Sequence, residues 1–303
     1  MTRLAFAFLA LAGCGSGVPL GSECSEDDLC EDGATCDFTD PAGAVCIDGA
    51  GDLDGDGIQN AQDFCNHAPG GRFDEDNDQI GDDCDACPIA RPASDPDTDG
   101  DAVDSPCDPD PTTGGDQIVV FDGFNSGMLP DNWTATAGWT FVGGEAIATA
   151  VDVVNNEVLT APLPLVSLHV AVLGQYRIDE LTPQATSNRA GIIAVDQRPA
   201  GGDDISCSGV RTGGGDNLVI DTTLNAMTDG FMSSLFDTAG LYRVTLKLDN
   251  AQAGCALIAD TETGATQATT AGEAVNQAGL TVKGVTARFQ YLLVIQRGPV
   301  DPN

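Results

Sequence analysis

Positive charge is scarce in this chain: twelve Lys and Arg residues stand against 47 Asp and Glu over 303 residues, a formal charge of −35. Such a surface repels phosphate backbones and anionic headgroups, which excludes nucleic acid as a partner and makes cations the natural ones. Aromatic residues reach only 5%, while glycine (37) and proline (16) are frequent. That balance excludes a helical bundle and favours strands and loops. Histidine is nearly absent, with His67 and His169 alone, so the eleven cysteines cannot be completed into a Cys/His zinc pattern. The apolar run from Leu4 to Ala12 is too short to span a bilayer as a stable helix.

Eleven thiols would be a hazard in a reducing cytosol, so the cysteines point to an oxidising compartment. Their number is odd, and the amino terminus accounts for one. Arg3 followed by the Leu4 to Ala12 run reads as a signal peptide over residues 1–13. It ends in Leu11-Ala12-Gly13-Cys14, which resembles the lipobox of bacterial lipoproteins. The resemblance implies cleavage before Cys14, acylation of its thiol, and a membrane anchor whose chains contribute ~0.8 kcal/mol per buried methylene. It leaves ten cysteines, an even number. Residues 14–22 then form a tether, and Gly15 after the lipidated cysteine implies the outer membrane by similarity to sorting rules in Gram-negative bacteria.

Residues 23–50 hold Cys24, Cys30, Cys36 and Cys46 in a stretch too short and polar to fold without crosslinks. Four cysteines allow three connectivities, and spacing does not choose among them.

Residues 51–110 carry most of the chain's chemistry. From Asp52, oxygen-bearing side chains fall at relative positions 1, 3, 5, 9 and 12 (Asp52, Asp54, Asp56, Asn60, Asp63), with Gly57 at position 6 and the Ile58 carbonyl at position 7. This spacing lets one loop wrap six or seven hard oxygens around a calcium ion, and the glycine permits the sharp reversal. EF-hand and dockerin loops need a helix afterwards, which Cys65-Asn66-His67-Ala68-Pro69-Gly70-Gly71 cannot supply. The pattern recurs at Asp74, Asp76, Asp78, Ile80, Asp82 and Asp85. It recurs again at Asp97, Asp99, Asp101 and Asp108, with Asp104 at position 8 in place of 9.

Cysteines two residues after the first set (Cys65) and at position 11 of the others (Cys84, Cys107) make the segment resemble thrombospondin type-3 repeats. That resemblance implies calcium as the cofactor and a ladder of disulfides joining neighbours, Cys65 to Cys84 and Cys87 to Cys107. Each closed loop is expected to contribute ~3 kcal/mol in the chain-entropy model. Bound ions would convert the mutual repulsion of the carboxylates into a folding force.

After a linker at 111–116, β-branched runs alternate with turn residues over 117–303. About ten candidate strands without intervening helices predict an antiparallel two-sheet sandwich. Phe121-Asp122-Gly123-Phe124, Gly138-Trp139-Thr140-Phe141 and Gly143-Gly144-Glu145-Ala146 resemble the opening of concanavalin-A-like (laminin G-like) jelly rolls. The run from Val285 to Gln296 is similar to their closing strands. Cys207 and Cys255 remain for one another, bridging paired or facing strands. The fold class expected is therefore mainly β, an antiparallel jelly-roll sandwich preceded by irregular repeats held by disulfides and calcium.

No catalytic residues are assigned. Asp179-Glu180 is the nearest acidic pair, but adjacent strand residues face opposite sides, and a glycosidase needs two carboxylates flanking one bond. Neither a Gly-x-Ser-x-Gly elbow nor a phosphate loop occurs. Trp133, Trp139 and His169 are read as packing residues. The sequence thus predicts a non-enzymatic, lipid-anchored envelope protein, periplasmic or surface-exposed, presenting a sandwich that binds a glycan or surface protein on a calcium-binding stalk. The alternatives are a carbohydrate-active enzyme with an unrecognised site and a purely structural envelope protein.

Overall fold

Alternation of apolar and polar side chains dictates most of this structure. In Tyr242–Asp249 every second residue is buried, the period at which a strand turns one face to a core and the other to solvent. The computed structural model describes residues 17–91, 97–149, 155–182, 187–196, 204–213, 215–222, 226–232, 235–259, 262–272 and 274–298. Among these, no helix is long and apolar enough to cross a membrane. Cys14 lies outside the described residues.

The chain forms two compact units, Met1–Pro88 and Ile89–Asn303, so the division falls between the second and third aspartate sets. The first unit contains a hairpin of β1 (Ala34–Asp37) and β2 (Val45–Asp48), with Cys36 opposite Cys46. Cys24 bonds to Cys36 and Cys30 to Cys46, so both hairpin cysteines are tied to the segment before them. Cys65 bonds to Cys84 in the aspartate-rich part. A single 3-10 turn, Asn60–Gln62, lies within the first aspartate set at positions 9 to 11, and among the described residues no helix follows Asp63.

In the second unit, β3 (Asp116–Asp122), β4 (Thr134–Ala135), β5 (Trp139–Phe141), β6 (Ala146–Thr149), β7 (Glu157–Ser167) and β8 (His169–Leu181) are followed by β9 (Asn188–Asp196), β10 (Ile205–Thr212), β11 (Gly215–Asp221) and β12 (Ala226–Phe231). The chain ends in β13 (Tyr242–Asp249), β14 (Gln252–Ile258), β15 (Thr263–Thr269), β16 (Val275–Lys283) and β17 (Val285–Arg297). Seven strands pair in the order β12-β11-β10-β9-β16-β7-β4 and eight in the order β15-β14-β13-β8-β17-β6-β5, with β3 also on β17. Every pairing in these two sheets is antiparallel.

The core lies between the sheets. Ile192 and Leu280 from the seven-stranded sheet meet Tyr176, Leu246 and Phe289 from the other, all with almost no exposure. Burial of each such side chain stabilises the fold by ~1.5–3 kcal/mol. Tyr176 packs between Tyr242 (5.4 Å between ring centroids) and Phe289 (5.3 Å). Cys207 on β10 bonds to Cys255 on β14, so this disulfide joins facing strands of opposite sheets.

One apolar stretch, from Val166 to Ile178, serves both sheets. The chain leaves the seven-stranded sheet at Ser167 and enters the eight-stranded one at His169. At this crossing the Ser167 hydroxyl accepts from His169 N and reaches its carbonyl oxygen, each at 3.0 Å.

Candidate metal centres

The three aspartate sets fold into similar turns, built by corresponding hydrogen bonds. The aspartate at position 1 accepts from backbone N–H groups of the next residues: Asp52 from Gly55 (2.8 Å) and Gly57 (3.1 Å), Asp74 from Asp78 (3.2 Å) and Gln79 (2.9 Å), Asp97 from Gly100 (2.7 Å) and Ala102 (2.9 Å). At position 5, Asp56, Asp78 and Asp101 accept from N–H of Ile58 (2.7 Å), Ile80 (2.8 Å) and Val103 (3.1 Å). At position 12, Asp63 and Asp85 accept from Cys65 and Cys87, and Asp108 from Asp110, at 2.7 to 2.8 Å. Ile58 and Ile80 therefore occupy equivalent places in their turns.

Position 9 is filled by Asn60 and Asp82, which accept from the second residue of their loops, Leu53 (2.9 Å) and Glu75 (2.8 Å). In the third set Asp104, one position early, accepts instead from the first residue, Asp97 (3.1 Å). Its displacement in sequence is matched by an equal displacement of the backbone group it holds.

Positions 4 and 6 adopt left-handed backbone in all three turns. They are Gly55 and Gly57 in the first, Asn77 and Gln79 in the second, Gly100 and Ala102 in the third, with φ between 62° and 95°. The reversal expected at position 6 is thus present even where no glycine serves it, and the strain at Gln79 and Ala102 is borne by the hydrogen bonds to Asp74 and Asp97.

These turns bring Asp52, Asp54 and Asp56 together, and likewise Asp74, Asp76 and Asp78, and Asp97, Asp99 and Asp101; within each trio, one oxygen per carboxylate lies within 4.8 Å of the others. Asp54 Oδ2, Asp63 Oδ2 and Asp108 Oδ2 are buried and have no hydrogen-bond partner. Asp63 is 5% exposed and Asp108 9%. Burial, with the like charges of Asp54, Asp56 and Asp52, raises the Asp63 carboxyl above its ordinary range. Burial also pushes Asp108 up to about 6, with Asp101 and Asp99 adding repulsion. Asp76 is raised to about 6 and Asp82 to about 7, again chiefly by burial. Asp56 is held low by the N–H groups of Gly70 and Ile58.

Buried polar atoms are normally paired. Carboxylate oxygens that crowd together, several of them buried and without a hydrogen-bond partner in the first and third turns, form a donor set of hard oxygens suited to a hard divalent cation.

Two glycine pairs were not legible as parts of these sites. Asp56 Oδ2 accepts from Gly70 N (2.8 Å), and Asp101 Oδ2 from Gly115 N (3.0 Å), each fourteen residues along the chain. Both glycines have φ near +114° (114° and 113°). A Cβ on the neighbouring Gly71 would lie 2.4 Å from Asp63 Oδ1. The stretch read as a linker at 111–116 therefore closes the third turn. Asp101 Oδ2 also accepts from Asp116 N (2.7 Å), the first residue of β3, and buried Asp116 pairs with Arg297 at the end of β17 (2.8 Å). The third turn is hydrogen-bonded directly into the sandwich.

The disulfide-forming cysteines are placed with equal clarity: besides Cys65–Cys84 and Cys207–Cys255, Cys87 and Cys107 are each disulfide-bonded. Trp133 and Trp139 pack against the core. His169 is not a packed residue: its side chain is 40% exposed and Nδ1 lies 3.0 Å from Asp249 Oδ1.

On the outward face of the eight-stranded sheet the acids lie among arginines. Glu145 contacts Arg177 and Arg288, each at 3.1 Å, and Arg288 also pairs with Asp179. Gln175 receives a hydrogen bond from Arg243 (2.8 Å) and donates to Gln290. The row presents planar donors and acceptors on the outward face of the sheet, with Glu145 and Asp179 paired to arginines.

No protein-family model matches the chain, and no curated protein matches it. Solved structures resemble it weakly. The CBM2 module of the evolved Dit of Lactobacillus casei BL23 phage J-1 is 13% identical, covering 61% of this chain and 98% of that one at a TM-score of 0.44. The carbohydrate binding module CBM66 from Bacillus subtilis is 13% identical over 52% of this chain and 91% of that one (TM-score 0.36). The Bacillus licheniformis β-glucanase is 8% identical over 60% and 98% (TM-score 0.41). Likenesses of this degree carry no argument about what this chain binds or does.

Proposed function

We propose that this protein is a calcium-binding lipoprotein of the bacterial cell envelope, probing its surroundings with a sandwich that binds a glycan or surface protein without turning it over. The observation that carries the calcium part is the threefold recurrence of one kind of carboxylate turn, with a buried position-12 carboxylate that keeps one oxygen unpartnered in the first and third copies. Calcium suits the all-oxygen donor set, and extracellular sites of this kind bind at ~10⁻⁴–10⁻³ M. The Asp52, Asp74 and Asp97 trios would hold the ions, with Asp63, Asp85 and Asp108 closing each loop. The ion supplies positive charge where the chain has almost none.

The binding part is supported by the outward row of Gln175, Arg177, Arg243, Arg288 and Gln290. Such side chains hold hydrogen-bonding groups in place for a hydroxylated ligand. The absence of turnover is supported by the engagement of Glu145 and Asp179 in ion pairs with arginines, which does not leave them as two carboxylates flanking one bond. The lipid anchor rests on the sequence around Cys14.

The full chain, with calcium present, is expected to be retained on immobilised envelope polysaccharide while releasing no reducing sugar from it. Steady product release that disappears on changing Glu145, Glu157 or Glu180 to glutamine would place the protein among carbohydrate-active enzymes instead.

A further inference from the structure

A second kind of donor set lies in the first unit, apart from the aspartate turns and chemically unlike them. Asp37 ends β1, Asp40 lies in the connection to β2, and His67 follows the first aspartate turn. His67 Nε2 is 2.9 Å from Asp37 Oδ2 and 3.8 Å from Asp40 Oδ2, and the three donor atoms lie within 4.8 Å of one another. The Asp37 side chain has no exposed surface, and those of Asp40 and His67 are 27% and 38% exposed, so the group has a closed inner side and an open outer one.

Each carboxylate uses its other oxygen elsewhere. Asp37 Oδ1 accepts from Thr39 N (2.9 Å) and from the Thr39 hydroxyl (2.7 Å), and Asp40 Oδ1 accepts from Ala42 N (2.7 Å). Both Oδ2 atoms are left converging on one imidazole nitrogen. An ion pair leaves this arrangement half explained, because Nε2 carries at most one hydrogen and can serve only one oxygen. At 3.8 Å the Asp40 oxygen is beyond hydrogen-bond length, yet it is held beside a second carboxylate that is wholly out of water.

A divalent ion among the three atoms would be shared by all of them. Ligand bonds of about 2.0–2.2 Å in a tetrahedral site place neighbouring donors roughly 3.4 Å apart, between the 2.9 and 3.8 Å seen here. The imidazole decides which ion. Calcium and magnesium take oxygen ligands, whereas a nitrogen beside two carboxylates suits zinc and its transition-metal neighbours. We propose that Asp37 Oδ2, Asp40 Oδ2 and His67 Nε2 bind one zinc-class ion, with water completing the coordination on the exposed side. Thr39 acts as a positioning residue, fixing the Asp37 carboxylate in the orientation that the ion needs. The ion ties the disulfide-bonded hairpin to the turn after the first aspartate set. The site needs no calcium and stands independently of the calcium reading.

The test is a calorimetric titration of the disulfide-intact full chain with zinc, under excess calcium so that the all-oxygen turns do not compete. One equivalent is expected to bind, to be lost in His67→Ala, and to weaken by ~10-fold or more in Thr39→Val. His169→Ala should leave it unchanged, since that histidine meets the single carboxylate of Asp249. No zinc uptake under these conditions, or uptake undiminished in His67→Ala, overturns the proposal. Should His67→Ala fail to fold, cobalt(II) added to the unaltered protein gives the same decision. Visible bands of a four-coordinate nitrogen and oxygen site, bleached by one equivalent of zinc, support it, and their absence overturns it.

Discussion

Withdrawing calcium from the disulfide-intact protein is expected to open residues 52–108 to proteolysis. Too little apolar surface is buried in this stretch to hold it closed: Ile58, Val103 and three half-cystines are buried there, alongside Asn60, Asp63, Asn66 and Asp108. At ten times the dissociation constant, one bound ion contributes about 1.4 kcal/mol. The two turns of the first unit together contribute about 3 kcal/mol if they act independently. Where cleavage follows the population of the opened form, that is roughly a hundredfold in rate. Mass mapping of the cuts with and without chelator measures it.

The same carboxylates set the pH dependence of the ion-free protein. Asp76, Asp82 and Asp108 are raised in the folded state, to about 6, 7 and 6, above the ~3.9 of an unfolded aspartate. Between those values the folded chain holds more protons than the unfolded one, so stability falls as pH rises from about 4 towards 7. In chelator, the protein should resist protease better at about pH 5 than at pH 8, and calcium should remove most of that difference.

Changing Cys14 to serine is expected to abolish labelling by a fatty-acid analogue and to release the protein from the membrane fraction. Several acyl chains on Cys14, at ~0.8 kcal/mol for each buried methylene, would make such an anchor effectively permanent, so its loss would be all or none. Continued labelling of Cys14→Ser would remove the anchor from this account.

How far the sequence could be read depended on where each signal lay. Strands such as β13 and β17 were legible because their side chains alternate or run apolar for long enough. Strands β7, β12, β15 and β16 were not. β7 carries Pro162 and Pro164, residues usually counted against a strand, and both tolerate their place through exposure and a register shift in the pairing with β16. β15 (Thr263–Thr269) mixes threonine with alanine, glycine and glutamine and has no large apolar side chain to mark it as a strand. Its pairing with β14 makes it a strand.

Within the aspartate turns, the ligand positions were legible because the motif repeats along one short segment. The residues that close the turns were not, because Gly70 and Gly115 lie far along the chain from the aspartates they serve. The recurrence of a glycine pair after the first and third sets was the available signal. The Asp37, Asp40 and His67 group was hidden for a similar reason: its members are thirty residues apart and belong to segments read as separate modules.

The central claim is that the aspartate turns bind calcium, and calorimetric titration of the full chain with its disulfides intact tests it most directly. Saturable uptake in the ~10⁻⁴–10⁻³ M range is predicted, with the number of ions bound falling in Asp54→Ala and again in Asp76→Ala. Absence of calcium uptake by the disulfide-intact protein would contradict the account.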